Sequence, residues 1–137
     1  MLNLQEIRIL ESIINTSFGR SSIRDAGHAI AYKVMNHCDE GCVLEVRFET
    51  IVNVNSREGV RTAQKEYDDV SRKAIDEQIK QVKSDFKAEA DRTLKVKEFK
   101  SEKPGQQPLK ESFLEIISFN PSLLRGKYYR TIQYHIS

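Results

Sequence analysis

Between Cys42 and Asn55 the chain alternates. Leu44, Val46, Phe48, Thr50, Val52 and Val54 interleave with Glu45, Arg47, Glu49, Ile51 and Asn53. A repeat of two residues is the side-chain period of a β-strand, and it predicts one covered face and one open face. At about 3.3 Å per residue the strand reaches on the order of 40 Å.

The rhythm then changes to spacings of three and four. Val60, Ala63, Tyr67, Val70, Ala74, Ile75, Ile79, Val82 and Phe86 predict one long helix from about residue 57 to residue 92, with Asn55-Ser56 as the turn and N-cap before it. Asp68, Asp69 and Asp76 each precede a base by four residues (Arg72, Lys73 and Lys80), the favourable orientation on a helix surface. Such a rod is about 54 Å long at 1.5 Å per residue. A four-stranded sheet is only about 15–20 Å wide. The end of the stripe, Ile79, Val82 and Phe86, is therefore expected either under other helices of the same chain or at an oligomer interface.

Upstream, Leu4, Ile7, Leu10 and Ile14 predict a helix over Asn3–Thr16, opened by a capping box of Asn3 and Glu6. Ile23, Ala26, Ile30 and Val34 predict a second helix from about Ser22 to Asn36, weakened by Gly27. Asp39-Glu40-Gly41 reads as a turn.

Downstream, Leu94 and Val96 alternate with Lys95 and Lys97 in a short strand, and residues 101–108, SEKPGQQP, are expected to be a mobile loop. Phe113–Phe119 and Tyr128–Ile136 read as two strands joined by a connection of roughly eight residues from Asn120. The last strand puts Tyr128, Arg130, Ile132, Tyr134 and Ile136 on one face and Tyr129, Thr131, Gln133 and His135 on the other. The expected fold is α+β in the order α-α-β-α-β-β-β: two N-terminal helices, then a four-stranded, mainly antiparallel sheet packed against one long helix. The expected organisation is a single domain over residues 1–137, helical over 1–41.

Composition narrows the class. The chain has 137 residues, 39% hydrophobic and 31% charged, with two cysteines and a net charge of +2. A chain of this length buries enough surface to fold without disulfides or metal, and no cofactor is expected. Two cysteines are not a disulfide scaffold, which points to a reducing, cytoplasmic setting or the inside of a macromolecular assembly. The longest uncharged stretch, Ile116–Leu124, is nine residues, against the roughly 20 that span a bilayer. No signal peptide, phosphate-binding loop, dinucleotide fingerprint or hydrolase elbow is apparent.

The charge is unevenly spread. Residues 91–137 carry nine Lys/Arg and five Asp/Glu, a net +4, against −2 for residues 1–90. Lys95, Lys97, Arg125, Lys127, Tyr128, Tyr129 and Arg130 combine cations with aromatic rings, the chemistry that holds a phosphate backbone and stacks on bases. Other constellations are weaker. His28, His37, Cys38 and Cys42 supply metal donors at a spacing that fits no usual zinc site. Ser22, Asp25 and His28 lie along one helix face rather than around one atom. Glu98-x-Lys100 on a strand is the core of a Mg²⁺-dependent nuclease, provided that a second carboxylate such as Glu45 or Glu49 lies beside it. The sequence thus points to a non-enzymatic, self-associating binding protein that contacts nucleic acid or another acidic partner through its basic C-terminal hairpin. An architectural subunit of a large assembly such as a virus particle is the alternative, and a nuclease using Glu98 and Lys100 is a second one.

Overall fold

The computed structural model describes residues 2–19, 29–37, 41–55, 57–99, 112–119 and 123–137. Along the chain run α1 (Leu4–Gly19), β1 (Ala29–His37), β2 (Gly41–Asn55), α2 (Gly59–Ala90), β3 (Val96–Phe99), β4 (Ser112–Phe119) and β5 (Leu123–Ile136). The protein is α+β, with two helices and an antiparallel sheet among the described residues. The loop expected over residues 101–108 lies outside the described residues.

Helix α1 begins as its sequence requires. Glu6 N–H donates to Asn3 Oδ1 at 2.8 Å, and Asn3 N–H donates to Glu6 Oε1 at 3.1 Å, so two otherwise orphaned backbone donors are satisfied reciprocally. Helix α2 spans 32 residues, about 48 Å at 1.5 Å per residue. Before it, Asn55 organises the turn by accepting the Arg57 N–H on its side chain and the Glu58 N–H on its carbonyl, both at 3.0 Å. The N-cap position falls on Glu58, with no side-chain cap bond, while Ser56 lies outside the described residues. Asp91 ends α2 in the left-handed region, at φ 51°, its N–H bonded to the Lys87 carbonyl.

The four strands expected from the sequence are all present, and β1 joins them as a fifth. That strand corrects the expected second helix: residues 29–37 pair antiparallel with β2 from Ala29↔Glu49 to His37↔Gly41, while residues 20–28 lie outside the described residues. The reason lies in the pattern itself. Ile30 and Val34 are four apart, a spacing that fits a helix turn and a strand period equally, and Tyr32 between them completes the strand alternation.

The last strand is also longer than its alternation indicates. β5 begins at Leu123, so only residues 120–122 separate it from β4, in place of the eight-residue connection. It is the central strand. One edge pairs with β2 along its whole length, from Cys42↔Ile136 to Asn55↔Leu123. The other edge is shared, by β3 over Gln133–Ile136 and β4 over Leu124–Arg130. β3 and β4 therefore occupy one lane, as two collinear pieces of an interrupted edge strand. Lys95 and Ser137 extend the β3 ladder through two reciprocal backbone hydrogen bonds, at 2.8 and 2.9 Å.

Gly126 falls within the connection expected from Asn120, yet it belongs to a strand. It sits inside β5, and a Cβ there would lie 2.9 Å from the Glu115 carbonyl oxygen. Glycine marks the close approach of β4, just before its register shifts between Ile116 and Ser118.

The core face of the sheet carries Cys42, Leu44, Val46, Phe48, Val52 and Val54 of β2 together with Tyr128, Ile132, Tyr134 and Ile136 of β5. These residues form one cluster with Leu10, Ile13, Ile14 and Phe18 of α1, with Ile75, Ile79, Val82 and Phe86 of α2, and with Leu94. Both helices thus share the core. The residues expected at an oligomer interface are covered within one chain: Ile79 is 8% exposed, Val82 1% and Phe86 0%. Arg92 beyond α2 clamps the start of α1, its Nη1 donating to both Glu6 carboxylate oxygens at 2.8 Å.

Candidate nucleic-acid interface

Alternation along β5 divides the expected binding residues between two faces. Tyr128 and Arg130 share their parity with Ile132 and Ile136 and turn inward. Arg125, Lys127 and Tyr129 share the opposite parity and turn outward, to the face away from the core. Lys95 and Lys97 alternate with buried Leu94 and partly buried Val96 and are exposed as well.

The inward residues form a polar network at α2. Tyr128 is fully buried, and its hydroxyl donates a hydrogen bond to the Asp68 carboxylate and lies 3.3 Å from Ser71 Oγ. Arg130 Nη1 donates to the Asp68 carbonyl at 2.7 Å and stands 3.6 Å from its carboxylate. Burial, and then the Asp68 carboxylate, hold the Tyr128 hydroxyl above the usual tyrosine range. Tyr134, on the same face, is pushed up to about 12, chiefly by burial and then by Asp76. Tyr128 and Arg130 are therefore structural. A fully buried ring offers no surface on which a base can stack.

Of the outward residues Leu123 and Arg125 are exposed and those from Lys127 to His135 half-buried, while Val43 and Glu45, beside His135 and Gln133 on β2, are buried. Phe113 of β4 pairs with Tyr129 across the ladder, and their rings stack at 4.5 Å and 19°. Lys127 Nζ lies over the Tyr129 ring, 5.2 Å from its centroid, and 3.6 Å from Glu49 Oε2. Phe113 itself remains 39% exposed. The outer row of β5 runs Leu123, Arg125, Lys127, Tyr129, Thr131, Gln133, His135, with no acidic side chain in it. Arg125, Lys95 and Lys97 are exposed and form no ion pair among the described residues.

Acidic neighbours on this face are engaged or at its margin. Glu45, 8% exposed, accepts from Arg47 Nε at 2.7 Å and from Gln133 Nε2 at 2.9 Å, and Glu115 lies opposite Lys127 in the ladder. The cations gather at two ends of β5, the Arg125–Lys127 end and the His135 end opposite Lys97. The rows of Lys127 and His135 are about 26 Å apart at 3.3 Å per residue.

The remaining candidates come apart. Glu98 faces α2, where Arg72 binds it in a bidentate pair at 2.6 and 2.9 Å. That contact drives the Arg72 pKa upward. Lys100 lies outside the described residues, as do Ser22, Asp25, His28 and Cys38. Cys42 is buried in the core, and burial raises its thiol pKa. Among the described residues no group of three His, Cys, Asp or Glu side chains is placed to hold a metal ion, and no helix is long and apolar enough to cross a membrane.

Sequence reasoning missed Phe113. The signal was available in the alternation, since Phe113 and Glu115 share one face of their strand, but only the pairing register sets Phe113 against Tyr129. No family model matches the chain, and neither does any curated protein or solved structure.

Proposed function

We propose that this chain is a non-enzymatic binding protein that engages nucleic acid through the outer face of its sheet. One observation carries the reading: Arg125, Lys127 and Tyr129 share the outer face of the sheet with Lys95 and Lys97, and the row that joins the two cationic ends contains no acid. Cations along the outer face of a sheet suit a phosphate backbone, whose neutralisation releases condensed counterions. Tyr128 and Arg130 support that surface from beneath by fixing β5 to Asp68 and Ser71 of α2.

Fluorescence anisotropy at low salt tests the proposal with a labelled 20-nucleotide strand and, separately, a poly-glutamate peptide of equal charge. Binding of the strand that is lost in the Arg125→Ala/Lys127→Ala double variant supports the reading. Equal binding of the peptide assigns the face to an acidic protein partner instead, and no binding of either overturns the proposal.

A further inference from the structure

The geometry points to Phe113 as a base-stacking residue that makes this face selective for single-stranded over double-stranded nucleic acid, an inference that rests on the reading above. The first argument is one of width. Four strand lanes lie abreast in the order β1, β2, β5 and then β3 with β4. Their backbones span about 15 Å at 4.8 Å spacing, before side chains are added, whereas the major groove of B-form DNA is about 12 Å wide. The sheet cannot enter a duplex groove as a helix or two-stranded ribbon does.

The second argument is chemical. A duplex shows its base edges in the grooves and keeps its base faces stacked inside. Aromatic rings held on the face of a sheet find a nucleic-acid stacking partner only in an unpaired base. The Lys127–Tyr129–Phe113 stack provides such a platform at its outermost ring, because Phe113 combines 39% exposure with a ring already held at 4.5 Å against Tyr129. A pre-ordered ring loses little side-chain freedom when a base arrives. Across the ladder Phe113 faces Tyr129, with Lys127 on the diagonal and Arg125 four residues from Tyr129, about 13 Å along β5 at 3.3 Å per residue, so a base stacked on the ring leaves the phosphates of the strand within reach of those cations.

The test compares four labelled ligands by anisotropy with the full chain: single-stranded DNA, single-stranded RNA of the same sequence, the DNA duplex, and a strand of abasic residues that keeps every phosphate. The expected result is that single strands of either sugar bind at least tenfold more tightly than the duplex and the abasic strand. Phe113→Ala should weaken single-strand binding by about 5- to 150-fold, the range of one lost stacking contact, and leave abasic-strand binding unchanged. Phe113→Tyr, which keeps the ring, should restore it, and this separates a lost stack from a disturbed edge strand. Equal affinity for all four ligands, with Phe113→Ala indistinguishable from the parent, overturns this inference while leaving the charged face intact. Absence of binding to every ligand overturns the reading on which it rests.

Discussion

Replacing Tyr128 by Phe removes a single oxygen from the junction of β5 and α2. The ring contacts stay, because the phenyl ring would keep the edge-on packing with Phe48 at 6.0 Å and the tilted contact with Tyr67 at 5.6 Å. What is lost is the donor to Asp68 and the contact with Ser71, which is 0% exposed. A buried polar group left without its partner costs about 1–3 kcal/mol. Asp68 retains 33% side-chain exposure and the nearby Arg130, so the carboxylate is partly compensated and about 1–2 kcal/mol is expected.

Tyr134 supplies the internal control. It lies on the same face of the same strand, 4% exposed, and its hydroxyl has no hydrogen-bond partner among the described residues. Tyr134→Phe removes an uncompensated polar atom and should be neutral or stabilising by up to about 1 kcal/mol. Urea denaturation separates the two. With a slope of about 2 kcal/mol/M, the Tyr128→Phe midpoint falls by about 0.5–1 M, and that of Tyr134→Phe holds or rises. Alkaline pH adds a second readout. The folded-state pKa of Tyr134 stands at about 12 against 10.0 for the ordinary group. The associated stability is present in full below pH 10 and is lost as pH rises toward 12, by about 2–3 kcal/mol. Tyr134→Phe should remove most of that loss. Equal destabilisation by the two substitutions would refute the assignment of the Tyr128 hydroxyl to a working network.

Other perturbations probe the rest of the frame. Gly126→Ala places a Cβ 2.9 Å from the Glu115 carbonyl, a backbone atom that cannot swing aside. It should destabilise by about 1–3 kcal/mol, read as a lower urea midpoint with β4 amides exchanging faster. Phe86→Ala empties a fully buried site shared by both helices and the sheet. A loss of about 3–5 kcal/mol is expected in calorimetry, and a loss under about 1 kcal/mol would place the core elsewhere. The hydrogen bonds from Arg92, and then the Asn3 backbone, hold the Glu6 carboxyl below its usual value of 4.5. The stability this contributes is present above pH 4.5 and declines as pH falls through the lower folded-state value. Arg92→Ala should flatten that acid limb in pH-dependent melts.

Much of this arrangement is legible in the sequence, for identifiable reasons. Alternation over Leu44–Val54 assigns Leu44, Val46, Phe48, Val52 and Val54 to the core face they occupy, and the Asn3–Glu6 box forms as written. The α2 stripe is buried as its spacing indicates from Ile75 to Phe86, but Val70, expected in it, is 43% exposed, and the adjacent Ser71 takes the buried position. Failures cluster where one pattern admits two periods, as at Ile30 and Val34. They also fall where a glycine serves a close approach rather than a turn, as at Gly126. The candidate site was half legible. Parity with Ile132 and Ile136 already places Tyr128 and Arg130 on the core side. Phe113 and Tyr129 meet only through cross-strand register, which no local pattern encodes. The cover over Ile79, Val82 and Phe86 is likewise non-local, since helix α1 and the sheet supply it from distant parts of the chain.

The salt dependence of single-strand binding tests the central claim most directly. If Lys95, Lys97, Arg125 and Lys127 each neutralise one phosphate, log Kobs falls against log salt with a slope of about −2.8, and Arg125→Ala/Lys127→Ala halves it to about −1.4. A slope that the double variant leaves unchanged would contradict the assignment of this face, as would a strand that fails to bind at low salt.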